Sequence, residues 1–507
     1  MALTNHPRSL TQTSLLNYIL AVVSMGIAGL FSIIEARSEG FWGDELWTIH
    51  FISLSMSDML VATAEDVHPR LYYLIVKVWV ELVGFSPFLV RGLSILFGLA
   101  AIFTIYTLGA RIYTQRTGSV AALLSAFAIP MLIQMAQARM YALLIFVTAL
   151  SYLFFWELLA GSHRPTIIIG YVLATVGMLY THLYGALLLC SQVLIALSLT
   201  ITHTGLTTAG KKFWRQWIPI GGLIGVLALP LIDRIIRMLR SMKSLQFGFV
   251  HWIARADANF LHLFEWLVRP YPVAIIGLLW LVALIRIQPK QITNTITIPV
   301  SFDTDQYTRL VFFGGWYVFT LLQALVLSAI IQPLFYYRFA IPLLVPVFIV
   351  TAYGITNIKS QLFTVLIIAV LVVFGVQGGM TLVSTQGLEP TDEAMEFVNT
   401  HATKNDALYV ESWGPELIRL YANESTPPLV TNLETALSNY DQVWVITATT
   451  RTLPSDSPSW NVTWWKFKSS GPYRSRFEGN HRVWWVGRIA DQKTSESLNT
   501  TRSKLYH

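Results

Sequence analysis

The sequence predicts an α-helical polytopic membrane protein with a small α/β domain at its C-terminal end. Three observations carry that expectation. Of the 507 residues, 54% are hydrophobic and 12% are charged, with a mean hydropathy of +0.55. Soluble domains carry about 25% charged residues. Apolar runs long enough to cross a bilayer then recur as far as residue 385. Beyond that point the pattern changes to short strand-like runs and an amphipathic helix.

Residues 1–13 are polar, with Arg8 the single Lys or Arg, and the apolar stretch after them lacks a small-residue cleavage site. It reads as an uncleaved first span. Candidate spans fall near 14–34, 88–110, 119–135, 140–160, 166–180, 182–202, 217–236, 270–287, 309–331, 338–356 and 361–382. That makes about eleven transmembrane helices, an odd number that puts the two termini on opposite sides. Residues 71–83, LYYLIVKVWVELV, reach roughly 20 Å as a helix, short of a hydrocarbon core of about 30 Å. They read as an interfacial helix with Lys77 and Glu81 one turn apart. The tryptophans at 42, 47, 79, 252 and 266 read as interfacial belt residues. Lys and Arg are balanced across the two sides, so charge does not orient the chain.

The transmembrane domain is thus expected over 1–385, with a first outer loop over 35–87. A soluble α/β domain follows over 386–490, and then a polar tail over 491–507. Within 386–490 the pattern predicts a helix over 391–401, strands over 406–412 and 442–448, and a helix over 415–422 between them. Sequons begin at Asn423, Asn461 and Asn499, triplets that are common by chance.

The charge balance of 35 Lys and Arg against 28 Asp and Glu gives +7. This modest excess suits anionic lipid or phosphate, and no nucleic-acid motif is present. Cys190 is the single cysteine, which excludes an intrachain disulfide and disfavours a cysteine metal site.

Chemistry concentrates in residues 41–70, FWGDELWTIHFISLSMSDMLVATAEDVHPR. Asp44-Glu45 and Glu65-Asp66 sit between long apolar runs, and carboxylates beside a membrane span are functional candidates by default. Four further segments follow in order: QARMYALL at 137–144, YTHLYGALLL at 180–189, the basic stretch DRIIRMLRSMK at 233–243 and YYRFAIPLLVP at 336–346. The basic stretch reads as an edge on anionic headgroups.

The ordered set FWGDE, DVHPRLYYLIVKVW, QARMYALL, YTHLYGALLL and YYRFAIPLLVP resembles the GT-C-type membrane glycosyltransferases. Within them it is most similar to the protein O-mannosyltransferase and lipid A aminoarabinose transferase group. The resemblance covers roughly residues 10–385. One departure is His68-Pro69-Arg70, where many relatives have His-Pro-Pro; Arg70 adds a cation beside the second acidic pair.

The resemblance implies transfer of a sugar from a polyprenyl-phosphate carrier to an acceptor lipid, glycan or protein. It also implies a plasma (inner) membrane location, with the N-terminus cytoplasmic and the C-terminal domain extracytoplasmic. A departing polyprenyl phosphate needs charge neutralisation, while the acceptor hydroxyl needs one base. By position in the motif Asp44 is that base. Glu45 supports Asp44 or touches sugar hydroxyls, and Asp66 orients donor or acceptor. His68, Arg70, Tyr141, His182 and Tyr184 are candidates for substrate contact. Arg139 and Arg338 either hold the carrier phosphate or snorkel to lipid phosphates. The acidic loop with His50 and His68 leaves a divalent cation (Mg2+ or Mn2+) open, without a compact ligand motif. The rival reading is a secondary transporter or flippase using the loop carboxylates as ion sites. Transporters place such groups at mid-membrane in repeated halves, and no internal repeat is visible here.

Overall fold

In the computed structural model the described residues are 12–37, 40–66, 68–162, 164–203, 208–243, 260–285, 306–330, 337–384, 391–410, 421–440, 442–447, 460–468 and 483–491. The chain forms two compact units. One comprises Met1–Ala36 and Ser55–Thr381, the other Arg37–Leu54 and Leu382–His507. The segment carrying Asp44 and Glu45 therefore groups with the C-terminal residues.

In chain order the helices are α1 (Gln12–Ala36), α2 (Gly43–Ser53), α3 (Met56–Glu65), α4 (Leu71–Val83), α5 (Pro87–Ile112), α6 (Gln115–Phe127), α7 (Ile129–Met135), α8 (Tyr141–Leu159) and α9 (Pro165–Thr181). They continue with α10 (Gly185–His203), α11 (Thr208–Lys243), α12 (Phe260–Val268), α13 (Val273–Ile285), α14 (Gln306–Ile330), α15 (Leu344–Thr356), α16 (Gln361–Ser384), α17 (Thr391–His401) and α18 (Leu433–Asn439). The strands are β1 (Ala407–Val410), β2 (Leu429–Val430), β3 (Gln442–Thr447), β4 (Trp460–Lys468) and β5 (Val483–Asp491).

The larger unit is helical, and the described residues of the apolar runs named above fall on helices or on the turns that open them. Among the described residues seven helices, α1, α5, α8, α10, α11, α14 and α16, are long and apolar enough to cross a membrane. Two bent pairs, α6 with α7 at 68° and α12 with α13 at 94°, raise the number to 9 if each pair is one span. Shorter apolar helices cover Pro165–Thr181 and Ile341–Thr356. The chain is accordingly a multi-pass membrane protein by length and composition. The run 119–135, expected as one span, is broken at Ala128. Pro130 lies in the first turn of α7, where its missing N–H is tolerated, and the Ile129 N–H leaves the ladder for the Arg269 carbonyl at 2.8 Å.

Close helix contacts and buried polar bonds hold this unit together. A Cβ on Gly118 of α6 would lie 2.3 Å from the Tyr106 carbonyl oxygen, so α5 and α6 approach only through glycine. Between α8, α9 and α10, the Tyr171 hydroxyl donates to Gln192 Oε1 (2.8 Å) and Gln192 Nε2 donates to Ser151 Oγ (2.9 Å). Ser151 also bonds Thr175 at 2.8 Å. An unpaired polar group is costly in an apolar surround, so these side chains bond one another across the three helices. α4 forms as expected over 13 residues, buries Tyr72, Tyr73 and Val76, and pairs Lys77 with Glu81 at 3.9 Å.

Two belt tryptophans prove to be interior. Trp42 is buried at the start of α2, and Trp266 is buried with its ring 4.9 Å from that of Tyr337. Trp79 is half-buried and donates its indole N–H to the Leu89 carbonyl at 2.8 Å. Trp252 lies outside the described residues.

The smaller unit contains a five-stranded sheet of order β2-β1-β3-β5-β4. β1 runs parallel to β2 and β3, whereas β5 is antiparallel to β3 and β4. Strand alternation sends Leu408, Val410, Trp444 and Ile446 to one face, packed with Ala394, Met395 and Val398 of α17. Ala407, Val443 and Val445 meet Ala436 of α18 on the other face. The buried Trp444 indole donates to Asp406 Oδ2 (3.0 Å), which also accepts the Thr403 N–H (2.9 Å). The helix over 391–401 and the strand cores of 406–412 and 442–448 form as predicted. The helix expected over 415–422 falls almost wholly outside the described residues. β4 and β5 were not foreseen.

Candidate active site

In the larger unit the second acidic segment is built by helix ends. Asp66 is the C-cap of α3, and Tyr73, one turn into α4, donates its hydroxyl to Asp66 Oδ2 at 2.8 Å. The Tyr73 phenol is buried. Burial and the neighbouring Asp66 carboxylate push its pKa well above the ordinary value, while Arg139 pulls the other way. Tyr73 thus stands between a carboxylate and a guanidinium.

Arg139 occupies the turn between α7 and α8 and is 5% exposed. Its carbonyl accepts from Ser94 Oγ at 3.4 Å, and Ser94 bonds the Tyr72 hydroxyl at 3.0 Å. Tyr141 opens α8, so positive ends of backbone N–H dipoles point to the same region.

His182 caps α9. Its Nδ1 accepts the Tyr184 N–H at 3.0 Å, which places the ring proton on Nε2. That Nε2 is buried and has no hydrogen-bond partner. The turn is tight because Gly185 follows: a Cβ there would meet the Met178 carbonyl oxygen at 2.7 Å. Around the imidazole stand the rings of His68 (5.1 Å between centroids), Phe339 (4.9 Å) and Tyr141 (6.0 Å). Burial first, and then the Arg139 charge, lower the His182 pKa to about 3. His68 is lowered well below its ordinary value by burial, Arg139, His182 and Arg234. Both imidazoles are neutral near pH 7, as expected of bases held beside fixed cations.

Arg338 is buried in the turn before the 3-10 segment Ile341–Leu343, next to the Phe339 that touches His182. Arg70 is the half-exposed N-cap residue of α4; its carbonyl accepts the Leu74 N–H at 3.1 Å, and its side chain makes no capping hydrogen bond. The structure thus gathers Asp66, His68, Arg139, Tyr141, His182 and Tyr184, adds Arg338 through Phe339, and leaves Arg70 aside.

Arg234 is a member that sequence reasoning missed. Expected on a basic edge facing headgroups, it is instead buried at 7% exposure. From α11 its Nη1 donates to the Thr63 carbonyl at 2.9 Å, and its Nη2 donates to the carbonyls of Asp66 and His68. Three backbone carbonyls of one loop give the planar guanidinium fixed acceptors for its donors. No sequence pattern signals a contact 168 positions apart. The side chains of Arg237, Arg240 and Lys243 lie outside the described residues.

In the smaller unit, Asp44 and Glu45 open α2. Glu45 is fully buried, and its carboxylate accepts the Trp42 N–H at 3.3 Å while the Trp42 carbonyl accepts the Glu45 N–H at 2.8 Å. This reciprocal bonding is the glutamate half of a capping box. Asp44 is only partly buried in the same turn, where the helix N-terminus favours negative charge. The Tyr421 hydroxyl fixes the entry to α2, accepting from Phe41 N–H (2.6 Å) and donating to the Phe41 carbonyl (3.2 Å).

Among the described residues no group of three or more His, Cys, Asp or Glu side chains could hold a metal ion.

No protein-family model matches this chain, and no curated protein sequence matches it. Solved structures do. ArnT from Cupriavidus metallidurans bound to undecaprenyl phosphate is 13% identical, with 94% of this chain and 98% of that chain covered at a TM-score of 0.55. The apo form of the same protein gives 13% identity, the same coverage and a TM-score of 0.56. The chain has the GT-C fold. The archaeal oligosaccharyltransferase AglB from Archaeoglobus fulgidus, in complex with an inhibitory peptide and a dolichol-phosphate, is more distant, at 10% identity and a TM-score of 0.47 over 85% of this chain and 69% of that one. Within the GT-C fold, the cluster around His182 draws on the turns before α8, α10 and α15 together with the α3–α4 loop.

Proposed function

We infer that this protein is a membrane glycosyltransferase that moves a sugar from a polyprenyl-phosphate carrier to an acceptor hydroxyl. The observation that carries the reading is the cluster of Arg139, Arg338 and neutral His182 beside Asp66. Buried cations with a buried N–H in need of an acceptor suit an anionic phosphate. The solved ArnT structure with undecaprenyl phosphate supports the same donor class on the same fold.

In the reaction, the acceptor oxygen forms a bond to the anomeric carbon as the bond from that carbon to the phosphate oxygen breaks. The bonding pair leaves with the polyprenyl phosphate, and the acceptor proton passes to Asp44. A single displacement inverts the anomeric carbon. Arg139 or Arg338 neutralises the departing phosphate, and the His182 Nε2–H completes its hydrogen bonds. Asp66, held by Tyr73, orients substrate hydroxyls, and Glu45 holds the turn that presents Asp44. His68, Tyr141 and Tyr184 wall the sugar, and Arg70 supplies a further cation at the loop. The chemistry takes place on the extracytoplasmic side of the plasma (inner) membrane, with the N-terminus cytoplasmic.

The test is intact-mass analysis of cell-envelope lipids, glycans and proteins from a deletion strain. A hexose- or pentose-sized increment should vanish there, return with the wild-type chain and stay absent with Asp44→Asn at equal expression. An unchanged profile in the deletion strain overturns the reading.

A further inference from the structure

The far end of the helical unit holds a cavity of about 140 Å³. It is lined by Tyr113, just past α5, by Arg309, Leu310, Phe313 and Val318 of α14, and by Tyr353 of α15, among others. Along α5, Tyr113 lies 19 residues beyond Ser94, which touches the Arg139 carbonyl. At 1.5 Å per residue that is roughly 28 Å, so this cavity and the His182 cluster sit near opposite ends of one span.

Its chemistry is a cation on an aromatic floor. Tyr113 stacks on Tyr353 at 4.0 Å and on Phe313 at 5.8 Å, and the Arg309 guanidinium carbon lies 5.4 Å from the Tyr113 ring centroid. Arg309 Nε is buried with no hydrogen-bond partner, and among the described residues no carboxylate pairs with Arg309. It also sits in the first turn of α14, where the helix dipole opposes a positive charge. A buried donor without an acceptor is costly, and an anion arriving at the site would supply that acceptor.

The sides of the cavity show where that anion comes from. Leu310 is 37% and Val318 47% exposed, and both lie on a helix long and apolar enough to cross a membrane. Such residues face hydrocarbon, so the entrance admits an acyl chain more readily than a hydrated ion. The volume holds on the order of ten water-sized groups, enough for a phosphodiester and the first carbons of its tail.

We propose that this cavity binds one anionic phospholipid, its phosphodiester on Arg309, its glycerol over Tyr113 and its tail along Leu310 and Val318. This site is independent of the transferase reading and stands or falls without it.

The experiment uses the full chain, delipidated in detergent and titrated with phosphatidylglycerol, phosphatidylcholine or inorganic phosphate, with bound lipid counted by native mass spectrometry. One phosphatidylglycerol should be retained about tenfold more strongly than phosphatidylcholine. Arg309→Gln should abolish that preference and Arg309→Lys should keep part of it. Val318→Trp, which fills the entrance and leaves the cation in place, should lower retention about tenfold and serves if Arg309→Gln does not fold. Equal retention of the two lipids overturns the proposal, as does retention unchanged in Arg309→Gln or Val318→Trp. Protection by inorganic phosphate at the same concentration as the lipid assigns a soluble anion instead. The sequence places Asp305 one turn before Arg309; lipid retained only after Asp305→Asn would make that carboxylate the occupant.

Discussion

Arg234 holds the backbone of Asp66: one guanidinium on α11 donates to the carbonyls of Thr63, Asp66 and His68, and so sets the loop from which Asp66 and His68 project. Asp66 is thus held twice, its backbone by Arg234 and its carboxylate by the Tyr73 hydroxyl.

Removing the clamp should loosen the loop before it unfolds the protein. Arg234→Gln removes charge-assisted bonds worth roughly 2 kcal/mol in local opening, about a 30-fold gain in opening frequency. Hydrogen–deuterium exchange at residues 66–70 should accelerate by that factor, with α8 and α10 little changed. Arg234→Lys should restore only part of the protection, because an ammonium cannot span three carbonyls.

Tyr73→Phe tests whether Asp66 must be held. Loss of the 2.8 Å hydroxyl bond to the carboxylate should cost about 1.5–3 kcal/mol of positioning. Turnover should fall on the order of tenfold or more, with donor KM nearly unchanged, in a transferase assay with a polyprenyl-phosphate sugar. A change in KM alone would assign Tyr73 to substrate binding instead.

The two acids of α2 should separate cleanly. Asp44→Asn should lower turnover by about 100-fold or more, the range of a lost general base, with only a small fall in melting temperature, since an anion at a helix N-terminus contributes about 0.3–1 kcal/mol. Glu45→Ala should do the reverse, destabilising by about 1 kcal/mol through loss of the cap to Trp42, and Glu45→Gln should recover most of that stability.

Stability should also fall on acidification. His68 and His182 have folded pKa values below the unfolded value near 6.5, so the unfolded chain binds more protons below that pH. Their contribution is complete above about 6.5 and is lost progressively as pH falls, for His182 down to about 3. Each histidine should then weaken the fold by roughly 1.4 kcal/mol per pH unit below 6.5. Melting curves between pH 7.5 and 5.5 should show this slope, and His182→Asn should flatten it.

Much of the fold was legible because membrane helices announce themselves by composition. The described residues of each apolar run lie on a helix, a bent pair or the turn that opens one, and Thr391–His401 was bounded correctly by Pro390 and the Asp-Glu start. The bend at Ala128 was hidden because Pro130 is itself apolar and sits inside a continuous run. β4, WNVTWWKFK, and β5 escaped because their patterns carry charge and tryptophan in place of the Val-Ile runs of β3. For the candidate site, motifs named Asp66, His68, Arg139, Tyr141, His182 and Arg338, which lie in loops and at helix ends. Tyr73 and Arg234 were hidden because they lie inside helices and act through tertiary contacts that leave no local spacing. The capping bond of Glu45 was in reach, since an acid three residues after a helix start is a known signature.

The two bonds from Tyr421 to Phe41 join positions 380 apart. On the ribosome, therefore, the stretch bearing Asp44 emerges early and must wait for 380 further residues before its anchor exists. Until then the transmembrane helices can insert and assemble while the proposed base has no fixed place, so a chain released prematurely would be embedded and inert.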